Sequence, residues 1–183
     1  MSEQLTDGSS KLLHRFLRQF GDMLLGPPLA LLLSVLRVTK STVSYEEEHG
    51  RDYWQSPQET MARLRGDCED YAVLWFFVLF MLGWSTDGLR LARLEGEMGR
   101  HMVCLVRVNA EWYVLDNLAD DIYPRAAIVD EIRVEYSAGA LRVDVDGDGN
   151  LDPVSGFSRR WAGVLRKMAE FPGAESLTPE FGD

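Results

Sequence analysis

A chain of 183 residues with 46% hydrophobic and 26% charged residues is long enough for one domain with its own core, and its composition is that of an ordinary globular protein. The formal net charge of −10 argues against a nucleic-acid binder, because phosphate contacts need clustered Lys and Arg. Two cysteines, Cys68 and Cys104, make no disulfide framework.

Lys11, Arg15 and Arg18 precede an apolar run at 23–36 that is interrupted by Gly26-Pro27-Pro28. A basic stretch before an apolar one is the order of a signal peptide, but this run starts late, holds prolines and lacks a small-residue cleavage site. The spacing predicts core-packing helices over 12–25 and 29–38, with a membrane-surface or partner-binding arm as the alternative. Without a clear signal peptide the expected compartment is the cytoplasm, with the periplasm or a phage virion as alternatives.

A charged loop follows around His49. Ser56 is placed to cap a short helix that Pro57 begins, and Asp67 to cap a longer one over 68–84. The stretch 72–82 of that helix is apolar all round. It is too short for a membrane span, which needs about 20 residues, so a helix buried on every side is expected and no transmembrane span.

Alternation then predicts strands at 89–94, 101–108, 112–115 and 132–136, with a fifth at 141–143. On the second of these, Val103 and Leu105 share a face with His101, and Met102, Cys104 and Val106 take the other. Cys104 is therefore expected as a small buried hydrophobe, away from His101 and unbridged to Cys68. A last helix is expected at 159–171. The fold class is α+β, a central buried helix packed on an antiparallel sheet. Its expected divisions are an N-terminal helical segment at 1–40, the main domain at 41–171 and a loose tail at 172–183.

Cys68 begins the buried helix in Gly66-Asp67-Cys68-Glu69-Asp70-Tyr71, His101 opens one strand and Asp116 closes the next. A thiol at a helix N-terminus is favoured as thiolate by the helix dipole, an imidazole takes its proton, and a carboxylate orients the imidazole. Two adjacent antiparallel strands would bring His101 and Asp116 together against the helix that carries Cys68.

The order Cys, His, Asp on helix, strand and strand, with Asp52-Tyr-Trp-Gln-Ser-Pro-Gln-Glu59, Gly66 to Ala72, His101-Met-Val103 and Val114-Leu-Asp-Asn-Leu118, resembles the bacterial transglutaminase-like cysteine peptidases of the LapG-like kind. The resemblance implies a papain-like fold and a Cys68–His101–Asp116 triad that hydrolyses a peptide bond of a protein substrate through a thioester, with acyl transfer or deamidation as related outcomes. It also points to Trp54, Gln55 and Gln58, just ahead of the nucleophile, as donors to an oxyanion beside the Cys68 N–H, and to Asn117 as a polar contact. It further implies a Ca2+ site at Asp67, Glu69 and Asp70, where a cation would offset the negative charge beside the thiol.

A second Ca2+ candidate lies at 144–152, where Asp144, Asp146, Asp148 and Asp152, the Asn150 carbonyl and a tight turn at Gly149 supply hard oxygens. Aspartates so close repel one another without a cation, and the alternative is a solvated acidic turn. Ser155 stands where an EF-hand has its closing Glu, so a full EF-hand is not expected. The expected function is a calcium-responsive cysteine endopeptidase, with a regulatory protein partner or assembly possible. The alternative is a non-catalytic calcium-binding structural or interaction module with a papain-like shell, as in a phage particle or surface assembly.

Overall fold

A computed structural model describes residues 2–47, 53–97, 99–139, 141–154 and 158–177, with the backbone alone for 2–7. His49, Asp52 and Ser155 lie outside the described residues.

The centre is α4, Cys68–Met81, in which every residue from Asp70 to Leu79 is buried. Asp67 caps it through the Asp70 N–H, and the Asp70 carboxyl returns to the Asp67 N–H in a reciprocal capping box. The helix stops sooner than its apolar pattern implied because Gly83, at φ 95°, allows the left-handed step. The Trp84 N–H then reaches the Leu79 carbonyl and the Gly83 N–H the Phe80 carbonyl, a Schellman ending. Each large apolar side chain so buried contributes about 1.5–3 kcal/mol.

Around α4 lie α1 (Ser2–Arg18), α2 (Pro28–Thr42), α3 (Pro57–Arg63) and α5 (Arg159–Ala169). Leu13, Phe16 and Phe20 and the α2 residues Leu31, Leu32, Val35 and Leu36 belong to the same apolar cluster as α4. The N-terminal helices therefore pack in the core, and the division expected at residue 40 falls inside α2. Ser56 caps α3 in a capping box with Glu59, as its position suggested. The tail expected to be loose from 172 is packed through Leu177: a short 3-10 turn at Glu175–Leu177 places Ala174 and Leu177 fully in the core.

One face of α4 rests on a seven-stranded sheet of order β6-β5-β4-β3-β7-β8-β9, antiparallel throughout. Its strands are β3 (Leu89–Gly96), β4 (Gly99–Val108), β5 (Glu111–Leu115), β6 (Tyr123–Pro124), β7 (Glu131–Tyr136), β8 (Leu141–Val143) and β9 (Asp152–Val154), while β1 (Ser44–Tyr45) and β2 (Arg65–Gly66) form a separate parallel pair. Leu89, Leu91, Met102, Cys104 and Val106 face the α4 cluster. Ala92, Leu94, Val103, Leu105 and Val114 form a second cluster on the other side. Cys104 is thus a fully buried residue on the helix side, and both cysteines are free. Among the described residues no helix is long and apolar enough to cross a membrane.

Candidate active site

β5 pairs with β4 only as far as Cys104, opposite Leu115. Beyond that point the start of β4 has no partner from β5, and the chain turning away at Asp116 meets it there. His101 Nε2 lies 2.7 Å from Asp116 Oδ1. Asp116 is buried, and it also accepts the Leu118 N–H at 2.9 Å and the Tyr123 hydroxyl at 2.9 Å. Burial alone would raise its carboxyl, but the hydrogen bonds from His101, Leu118 and Tyr123 outweigh burial and hold it below the usual carboxylate range. In turn, burial and the Asp116 charge push the Tyr123 phenol up, which keeps it a donor.

Cys68 opens α4, and the Met102 backbone, next along from His101, lies near enough to its sulfur to favour the thiolate. The thiol donates to Glu69 Oε2 at 2.9 Å. Burial, followed by the Glu69 charge, pushes the thiol well above its ordinary value. The helix dipole was expected to favour the thiolate. Its effect is confined to the first turn and is of the order of 1 kcal/mol, so desolvation and an adjacent carboxylate override it. The thiol's hydrogen bond runs to Glu69, not to the imidazole. The structure therefore joins His101 to Asp116 directly, and leaves the Cys68 proton on another acceptor, Glu69.

The acidic residues flanking Cys68 crowd one another. Asp67 is raised to about 8, chiefly by burial and then by the Asp70 and Glu69 charges. Asp70 is raised to about 6 by burial against the hydrogen bonds that Gln55 and Asp67 supply. A Cβ on Gly66 would stand 2.6 Å from Asp70 Cβ, so only glycine lets the chain pass so close. A cavity of about 50 Å³ opens here, lined by Glu46, Glu47, Gln55, Asp67 and Asp70 among others.

Gln55 donates from its backbone to Asp70 Oδ1 at 2.7 Å and from its side chain to Asp70 Oδ2. Its buried Oε1 has no hydrogen-bond partner among the described residues. Carboxylates short of counter-charge beside an orphaned carbonyl oxygen are the donor set a hard cation takes.

Trp54 is buried against Tyr136 and Trp161, at ring distances of 5.3 and 6.4 Å, and its Nε1 has no partner. Asn117 Oδ1 is likewise unpartnered. Gln58 is turned elsewhere, donating to the Lys167 carbonyl of α5 at 3.4 Å, so α3 carries it away from the thiol. Tyr123 was missed. Its only signal was its position one short strand beyond Val114, with which it pairs.

The loop at 144–152 does not assemble the oxygen shell expected of it. Asp144 pairs with Arg133 at 2.8 Å and accepts the Gly147 and Gly149 N–H groups at 2.7 and 3.2 Å. Asp148 accepts the Asn150 backbone and side-chain N–H groups, both at 2.8 Å. Arg133 supplies the positive charge that a cation was expected to bring. Asp146 and Asn150 are exposed, as is Asp152 in β9. Among the described residues His, Cys, Asp and Glu form no group of three poised to hold a metal.

Legionella pneumophila LapG has a similar fold. The EGTA-treated form superposes with a TM-score of 0.72 at 22% identity, covering 91% of this chain and 96% of that one. The calcium-bound form gives 0.69 at 23% identity, covering 89% and 91%. The UPF0252 protein of Pyrococcus furiosus is 24% identical over 83 residues, 45% of this chain but only 25% of that protein's length. The family model described as bacterial transglutaminase-like cysteine proteinase matches residues 33–128, a span that begins in α2 and includes Cys68, His101, Asp116 and Tyr123. The chain belongs to this family of bacterial transglutaminase-like cysteine proteinases.

Proposed function

We propose that the protein is an endopeptidase that opens a peptide bond of a protein substrate through a thioester on Cys68, and that a calcium ion held by the acidic residues beside Cys68 controls it. The bond between His101 Nε2 and Asp116 at 2.7 Å carries the reading, because it assigns the two ring nitrogens. With Nε2–H donating to Asp116, Nδ1 is the free base.

Turning the Cys68 side chain from Glu69 to His101 lets Nδ1 take the thiol proton, and the thiolate attacks the substrate carbonyl carbon. The oxyanion forms against the Cys68 N–H at the start of α4, with Trp54 Nε1–H, now unpartnered, as second donor. Collapse breaks the C–N bond, and His101 returns the proton to the leaving amine. Water, deprotonated by His101, then attacks the thioester and frees Cys68. Asp116 stays ionised throughout and stabilises the imidazolium.

Asp67, Glu69 and Asp70 with Gln55 Oε1 would hold a calcium ion once their side chains draw together, and the ion would supply the positive charge this crowded end of α4 lacks. Glu69, drawn towards that charge, would release the thiol to His101. The existence of LapG in calcium-bound and EGTA-treated forms supports a role for calcium here.

The test is alkylation with iodoacetamide. Cys68 should react far faster than the buried Cys104, faster still with calcium, and His101→Ala should abolish the difference. Equal and slow labelling of both thiols would overturn the proposal.

A further inference from the structure

Arginines on β3 and β7 are neutralised with one exception. Arg90 pairs with Glu135 at 3.2 Å, and Arg133 pairs with Asp144 at 2.8 Å and also with Glu131. Arg93 pairs with no carboxylate among the described residues. It is half-buried, and its Nε is shut off from solvent without an acceptor. A guanidinium held in place without counter-charge or acceptor is a group that calls for a function.

Its position supplies one. Arg93 lies in register with Met102 on one side and Val134 on the other, and both neighbours belong to the cluster packed on α4. Residues directly opposite in an antiparallel pair share a face, so Arg93 projects on the side of the sheet from which Cys68 approaches. The Met102 backbone also lies near enough to the Cys68 sulfur to favour its thiolate. Paired residues on adjacent strands stand about 4.5–5.5 Å apart at Cα, so an extended Arg side chain spans from there to the surroundings of the thiol.

We infer that Arg93 forms an anionic subsite beside the nucleophile, which receives an Asp or Glu side chain of the substrate close to the scissile bond. A planar guanidinium with free donors matches a carboxylate in two-pronged fashion. The acidic residues around Cys68 would otherwise repel such a substrate, so a cation without a carboxylate partner among the described residues decides which acidic peptides are admitted. The inference rests on Cys68 being the nucleophile, and the experiment separates the two.

Cys68 alkylation is followed with neutral iodoacetamide and anionic iodoacetate in wild type, Arg93→Gln and Arg93→Lys, each first checked for a cooperative thermal transition. The ratio of iodoacetate to iodoacetamide rates should fall about fivefold in Arg93→Gln, as loss of one charge within reach of the thiol implies, and largely recover in Arg93→Lys. In parallel, a proteome-derived peptide mixture is digested and its cut sites sequenced. Wild type should favour Asp or Glu over Asn or Gln at one fixed position by about tenfold, the factor one charge-assisted hydrogen bond carries. Arg93→Glu should exchange that preference for Lys or Arg. An unchanged alkylation ratio, or an acidic preference that survives in Arg93→Gln, would overturn the subsite. Failure of iodoacetamide to select Cys68 in wild type would instead overturn the proposed nucleophile.

Discussion

The acidic cluster at the start of α4 should destabilise the calcium-free protein, and Asp67→Asn should relieve it. Asn caps helices as well as Asp does, so the hydrogen bond to the Asp70 N–H, 3.3 Å long, can be kept while the charge is removed. Asp67 is raised from 3.8 to about 8 by burial and by Asp70 and Glu69, which corresponds to about 6 kcal/mol if unscreened. Asp67 is partly exposed, and halving the figure for solvent screening leaves about 3 kcal/mol.

The sign follows from which state holds the proton. The folded protein binds it more tightly than the unfolded chain, so stability falls as pH rises from about 4 towards about 8. Thermal unfolding in EGTA at pH 8 should therefore show Asp67→Asn melting about 6–12 °C above wild type, since a kcal/mol moves a domain of this size by about 2–4 °C. The gap should close towards pH 4. Calcium should raise the wild-type transition more than that of the variant. A variant melting at or below wild type in EGTA at pH 8, or a gap independent of pH, would refute the reasoning.

Tyr123→Phe removes one of three donors to Asp116 and should lower the cleavage rate about tenfold, the scale of a charge-assisted hydrogen bond. Asp116 should then titrate higher, so the acid limb of the pH–rate profile should move upward. Leu177→Ala should cost about 2–5 kcal/mol in urea unfolding, the range for a buried Leu, because the side chain is fully buried. A loose tail would show no change. Asp148→Ala should leave the calcium response of Cys68 alkylation unaltered, whereas Glu69→Gln should speed alkylation in EGTA by freeing the thiol and lowering its pKa.

Patterns carried by neighbouring residues were legible in the sequence. The unbroken apolar run of α4, its Asp67 cap, the Ser56 cap of α3 and the alternation along β4 all express backbone periods of 3.6 and 2, and these hold wherever the segment is placed. They also sufficed to put Cys104 in the core and to pair His101 with Asp116, because β4 and β5 follow each other through a tight hairpin.

Contacts between distant segments were decided by the tertiary structure. The return of the chain to place β7 against β3 brought Arg133 to Asp144 and gave that end of the acidic loop a counter-charge. The edge strand β6 delivered Tyr123 to Asp116, and the burial of Leu177 anchored a segment whose composition reads as loose. The state of Cys68 belongs here too. Its place at a helix start was written in the sequence, but whether its proton faces an imidazole or a carboxylate depends on burial and on the rotamers of Cys68 and Glu69, which no local pattern specifies.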